Sequence, residues 1–466
     1  MKKGLLASYV AGIRDAQSGE TYNTIIRYFI PEYITSLVVF SLPFLLDSVF
    51  IARLESMPAY ATLGVTNNLI HFFIKIAEAF SVGTVVLAGQ YNGKFQFHKV
   101  GRVVRDSFWV TCLLGAIVST SLYFGAGWIY RWHGVPYEIA HLGVPFLQLR
   151  SIGIFFTFLA YSFIGFLKGI KNTKTPMQIY LAGAVVFVLC DYMFIFGNLG
   201  MPRMGLNGSA LASVVQSLVM LVAALWFVFS DKQYRQYAIS LFTGLTEKNY
   251  IKDLASLIWP MVIDKATLAA AYIWLNKMLC PMGTCAVASF AVVKDMERFA
   301  FLPAIACAQI ITFLVSNDYG IQNWNGIKSN IKKVIFLSSI LVFSILFLFS
   351  MFPKVVMQIF DKKGEFSPIA AQVFPILSIL VFFDLLQLVL SGALRGASNV
   401  KTVMMVRLVV CLGYFVPISY VLSNMPINNI ALKFMLIYGS FYIGNALMSL
   451  VYIHRFRTDD WKSENI

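Results

Sequence analysis

Gly165-Phe-Leu-Lys168-Gly169-Ile-Lys171-Asn172-Thr-Lys174-Thr175-Pro-Met177 returns further along the chain as Gly392-Ala-Leu-Arg395-Gly396-Ala-Ser398-Asn399-Val-Lys401-Thr402-Val-Met404, at a numbering offset of 227. At the same offset, Gly89-Gln-Tyr-Asn-Gly93 falls over Ser316-Asn-Asp-Tyr-Gly320. Two separate markers that agree on one spacing show that the chain is built twice from one plan.

The surroundings of these markers say what is duplicated. The chain is 58% hydrophobic and 13% charged, with a mean hydropathy of +0.73, whereas a soluble domain is about 45–50% apolar and about 25% charged. A globular core has no use for that much apolar surface, so most of it faces lipid or other helices within lipid. Apolar runs long enough to span lie near residues 29–51, 64–88, 106–127, 145–167, 177–197, 206–229, 253–276, 284–315, 332–353, 371–393, 403–422 and 433–453. The expected fold is therefore an all-α polytopic membrane protein of twelve transmembrane helices. The run 284–315 is overlong and carries Lys294, Asp295, Glu297 and Arg298, so its outer end is expected to bend or leave the membrane. The offset between the markers corresponds to six spans, which makes the halves two six-helix parallel-repeat lobes. We divide the chain into a lead-in (1–28), a first lobe (29–229), a linker (230–252), a second lobe (253–453) and a tail (454–466).

Basic residues set the orientation. With the N-terminus inside, the segments 1–27, 94–105, 168–174, 232–252, 328–333, 395–401 and 455–462 hold 23 Lys and Arg; the external loops hold seven. This bias places both termini in the cytoplasm and the chain in the cell's inner membrane, and it accounts for much of the formal +15 without nucleic acid as a partner. The lead-in is interrupted by Arg14, Asp15, Glu20 and Arg27 and reads as an amphipathic segment rather than a signal peptide. The glycine-containing turns lack the Lys-Ser/Thr spacing of a nucleotide site, so ATP is not the expected energy source. No metal-ligand spacing appears among the six cysteines; Cys280 and Cys285 flank an external turn, either bridged or as two free thiols.

Ionisable residues inside the spans are the functional candidates, since each costs roughly 2.5–3.5 kcal/mol to insert. Counting depth at about 1.5 Å per residue of helix brings Asp47, Asp191 and Ser213 to the external half of the first lobe. Two neighbouring carboxyls there invite a shared proton or a bound cation. His71, Lys75 and Glu78 share one face of the second helix with Asn67 a turn further out; Lys75 and Glu78 form either a neutral strut or part of a binding site. The second lobe offers Asp264 and Lys265 in the seventh helix, Asp384 in the tenth, and Asp295 and Arg298, three apart, as a pair on the eighth. Arg407 and Lys433 sit near span ends and are expected to reach the headgroups. Trp128, Tyr130 and Trp132 read as interfacial anchors.

Leu42-Pro-Phe-Leu-Leu-Asp47-Ser-Val-Phe, the Gly83 to Gly93 segment, Gly165–Met177, Asp191-Tyr-Met-Phe-Ile-Phe-Gly197, Gly205-Leu-Asn-Gly-Ser-Ala-Leu-Ala-Ser213 and Asp384…Leu394-Arg-Gly396 together resemble the multidrug and toxic compound extrusion (MATE) family, in order along nearly the whole chain. The resemblance implies a cation-coupled antiporter that exports amphipathic organic compounds, often cationic, by alternating access, without a cofactor and as a monomer in contact with membrane lipids. It places coupling at Asp47, Asp191 and Ser213, where many relatives have Thr in place of Ser213, and it allows Na⁺ at Asp47 and Asp191. Phe187 stands where many relatives carry an Asn one turn before Asp191, which removes an amide oxygen from any Na⁺ cage and favours H⁺. Leu268 stands where the sodium-driven branch has a Glu. The alternatives are a flippase or exporter of a lipid-linked or anionic substrate in the same superfamily, and a non-transporting membrane scaffold or receptor.

Overall fold

A computed structural model describes residues 12–13, 18–40, 50–51, 53, 56–132, 134, 136–242, 248–352 and 367–462. Among them no strand occurs; the chain is all-helical. We number the long helices α1 (Tyr22–Phe40), α2 (Met57–Gly93), α3 (Phe97–Trp132), α4 (Tyr137–Gly169), α5 (Lys174–Phe196), α6 (Leu206–Ser230), α7 (Lys248–Leu279), α8 (Thr284–Gly320), α9 (Trp324–Met351), α10 (Ser367–Gly396), α11 (Val400–Asn424) and α12 (Ile430–Thr458). Each of α2 to α12 is long and apolar enough to cross a bilayer. The chain is thus a twelve-helix, two-lobe membrane protein. The overlong run at 284–315 is one continuous helix, α8, with Pro303 inside it.

Two compact units divide the chain: Ile30–Ile258, called here the first unit, and Met1–Phe29 with Trp259–Ile466, the second. Membership changes within α1 and within α7 rather than in a loop. In the second unit the start of α1 is fastened by Tyr28 against Phe313 at 5.5 Å and by the Glu20 N–H, which donates to Asn330 Oδ1 at 2.8 Å. Residues 232–242 pack within the first unit: Tyr234 and Tyr237 are buried, and the Tyr237 hydroxyl donates to Asn92 at 3.0 Å.

The duplication seen in sequence is written into the backbone at atomic detail. Phe95 and Gln322, paired by the offset, both adopt positive φ, at 58° and 56°; Lys171 and Ser398 do so at 62° and 64°. After each of α4 and α10 the same closing bonds form: Asn172 N–H to the Leu167 carbonyl at 2.9 Å, and Asn399 N–H to the Leu394 carbonyl at 2.8 Å. The asparagines of the two markers hold equivalent partners beyond the lobe ends, since Asn172 donates to the Tyr234 hydroxyl at 2.6 Å and Asn399 to the Trp461 carbonyl at 2.9 Å.

Glycines in the markers explain the pattern. A Cβ on Gly165 would stand 2.6 Å from the Ser81 carbonyl oxygen, and one on Gly392 2.8 Å from that of Ala308, the residue paired with Ser81 by the same offset. Without a hydrophobic force between helices in lipid, close backbone approach of this kind holds α4 to α2 and α10 to α8. In α11 a π-helical turn at Cys411–Phe415 precedes Pro417. Proline has no N–H to give the carbonyl four residues before it, and the wider turn re-routes the ladder there. All six cysteines are free, Cys280 and Cys285 included.

Candidate functional site

In the first unit, Asp47 lies outside the described residues. Asp191 on α5 is fully buried, and Ser213 on α6 is 8% exposed. What contacts Ser213 is a cation that the sequence does not single out. Arg150 on α4 donates through Nη1 to the Ser213 hydroxyl and through Nη2 to Asn67 Oδ1 at 2.9 Å, with its guanidinium over the Phe146 ring at 5.6 Å. A guanidinium next to Ser213 repels a second cation there. On α2, Lys75 Nζ meets Glu78 Oε2 at 2.6 Å, so these two form a pair, while His71 is exposed. A further pair is unmarked in the sequence: Lys168 of the repeat marker bonds Glu32 of α1, and both are buried.

The second unit carries the richer arrangement. Asp264 on α7 receives Arg395 Nη2 at 2.8 Å on one oxygen and Arg407 Nε on the other. Arg407 is 3% exposed. Its expected place at the headgroups is therefore corrected: α11 begins at Val400, which puts Arg407 two turns inside the helix and turned toward Asp264. Arg395 is the marker's basic residue and corresponds to Lys168, so in each unit that position binds an acid on the unit's leading helix. Lys265 is partly buried.

Two other carboxyls in this unit are held by neutral groups. Asp384 Oδ1 accepts from Asn445 Nδ2 at 3.1 Å. Glu297, 7% exposed, accepts through Oε2 from the Tyr438 hydroxyl, while its Oε1 has no hydrogen-bond partner among the described residues. Asp295 and Arg298 form no ion pair among the described residues, and Arg298 is exposed. The expected pairing on α8 is thus not found; Glu297, which in sequence is only part of a balanced charge cluster, is the group that points inward. Around it stand aromatic rings. Phe290 packs edge-on against Tyr438 at 5.4 Å, Tyr438 lies 5.3 Å from Tyr442, and Tyr272 lies 5.1 Å from Phe441.

One expectation about aromatics is also corrected. Trp128 and Trp132 are exposed and stacked at 6.4 Å, as interfacial anchors should be, whereas Tyr130 between them is buried and hydrogen-bonded to Thr66. Positions i and i+4 share a helix face and i+2 lies opposite.

Acids and bases buried in membrane-crossing helices, with tyrosine and amide donors aimed at the acids, define a polytopic transporter rather than an enzyme. The MatE family model matches residues 33–193 and 260–421, and the chain belongs to that family. It is similar to the "Probable multidrug resistance protein NorM" of Mannheimia succiniciproducens, at 25% identity over 411 residues, 84% of this chain and 86% of that protein. The "Probable multidrug resistance protein YoeA" of Bacillus subtilis is 22% identical over 408 residues, 84% and 88%. Among solved structures, MATE in the straight conformation matches with a TM-score of 0.86 at 18% identity, over 98% of this chain and 99% of that one. A Pyrococcus furiosus MOP superfamily transporter described by the reverse polarity of its binding pocket matches with the same TM-score, identity and coverage.

Proposed function

We propose that the chain is a multidrug efflux antiporter that exports amphipathic organic compounds by alternating access, coupled to H⁺ in preference to Na⁺. The observation that carries this reading is the contrast inside the second unit. Asp264 is countered by two guanidiniums, whereas Asp384 and Glu297 have neutral hydrogen-bond donors and no ion pair among the described residues. Carboxyls so placed can gain and lose a proton or face a cationic compound without breaking a salt bridge. In the first unit Asp47 and Asp191 are our coupling acids. Arg150 on Ser213 and Phe187 in place of an amide both weigh against a Na⁺ cage there, because such a cage needs several oxygen ligands. The relatives named as multidrug resistance proteins support the substrate class.

The two guanidiniums at Asp264 favour a second reading, an exporter or flippase of an anionic or lipid-linked compound. Proteoliposomes loaded with the purified protein separate the two. An imposed pH gradient is expected to drive ethidium uphill, an equal Na⁺ gradient is not, and Asp191→Asn or Asp384→Asn should abolish the movement. Retention of wild-type, gradient-driven transport by both variants would sink the coupling assignment. Movement of a fluorescent anionic lipid in place of ethidium would establish the second reading.

A further inference from the structure

Phe290, Lys294 and Glu297 stand at i, i+4 and i+7 on one face of α8. Lys294 and Glu297, three apart, are within reach of each other along the helix, and in a medium of low dielectric an ion pair is the strongest contact either can make. No such pair forms among the described residues. The Lys294 ammonium lies instead over the faces of two rings, 5.0 Å from the centroid of Tyr272 and 5.9 Å from that of Phe290. The Glu297 carboxyl takes the Tyr438 hydroxyl on one oxygen, and the other, Oε1, is buried without a hydrogen-bond partner among the described residues. Two opposite charges on neighbouring turns have thus each been given to an aromatic side chain. Tyr272 also packs against Phe441 and Phe290 edge-on against Tyr438, so each ring that carries the ammonium has an aromatic neighbour of its own.

We propose that the ring faces of Tyr272 and Phe290 are a seat for the cationic group of the transported compound, that Lys294 is a tethered occupant of that seat, and that an arriving organic cation displaces Lys294 onto Glu297 Oε1. The inference rests on the efflux reading above and names the subsite and the ligand chemistry, an ammonium or other delocalised organic cation. Displacement conserves charge within the site: the guest takes the ring faces, and the freed ammonium gives Glu297 the counter-ion it lacks. A compound without positive charge has nothing to offer the ring faces and leaves Lys294 in place.

Binding of ethidium, a flat quaternary cation, to the purified full-length protein in detergent tests this by calorimetry. Lys294→Ala removes the competitor and is expected to lower the Kd roughly tenfold, the scale of one cation–ring contact. Lys294→Gln should do the same, whereas Lys294→Arg, whose guanidinium stacks better on rings, should raise the Kd. The gain should vanish when Tyr272→Leu is added to Lys294→Ala. Lys433→Ala takes the same unit of charge from the start of α12 and should change nothing, which separates the seat from a general charge effect. If folded Lys294→Ala and Lys294→Gln proteins bound ethidium no better than the wild type, the seat would be wrong and the efflux reading would stand. If the wild type bound no organic cation but did bind an anionic lipid, both would fall.

Discussion

Asp264 bears two guanidiniums, and its value to the protein follows from what they would become without it. Breaking a buried pair by removing one partner costs about 3–5 kcal/mol, because the remaining charge is left in a low dielectric. Asp264→Asn leaves two such charges, Arg395 and Arg407, and is expected to lower the thermal unfolding midpoint in detergent markedly; replacing Arg407 by Met in the same protein should recover part of the loss. Midpoints of the two variants that are equal to the wild type would show that the triad is not structural. Depth along a span is legible in the sequence, so Asp264, Asp384, Lys75 and Glu78 are recognisable as embedded. Partnership is not, because a sequence gives the face of each helix but not its rotation against the next. Arg407 looks peripheral in sequence because the apolar run begins at 403, while the helix begins at Val400. Arg150 and Glu32 hide inside runs that otherwise read as plain spans.

At the scale of elements, the last helix of each repeat is followed by a short turn tucked back against its marker. In the second unit that turn is Asp459–Lys462, where Asp459 at φ 61° meets Lys328 and Lys462, each at 2.8 Å, and Trp461 is wholly buried among Tyr319, Trp324 and Phe456. Hydrogen bonds from the two lysines hold the Asp459 carboxyl below its ordinary value of 3.8. The folded turn therefore binds its proton less readily than the unfolded chain does. Its contribution is complete above that ordinary value and is lost as the pH falls through the lowered one. Between pH 5 and 8 the fluorescence of Trp461, read in a variant lacking the other tryptophans, should be constant, with exposure beginning only below about pH 4. Exposure centred near pH 6 would assign the latch to another group. Trp461→Ala should cost about 3–5 kcal/mol as a large cavity mutation. The repeat spacing announces the paired markers; it does not announce the latch, which joins residues far apart through the Asn399 side chain, the Lys328–Asp459 pair and the rings around Trp461.

For the whole molecule the strongest expectation is topological. With native cysteines removed, a single cysteine at Ser240 should stay unlabelled by a membrane-impermeant reagent in intact cells, and one at Arg131 should be labelled. The reverse result would invert the orientation read from the basic residues. That reading needs no structure, since the bias is a count along the chain and hydropathy alone marks the spans.

The two units share their turns and the basic residue of the marker, but not their other buried charges. Across the repeat, Asp264, Glu297, Asp384 and Arg407 are paired with Leu37, Ile70, Thr157 and Tyr180, and Arg150 is paired with Leu377. Heritable change has therefore acted on the halves separately. A substitution that retunes the ions or guests of one half leaves the other half's chemistry as it was, and neither disturbs the glycine contacts on which both depend. New selectivity can arise in such a chain one half at a time, while the other half keeps its own, different chemistry.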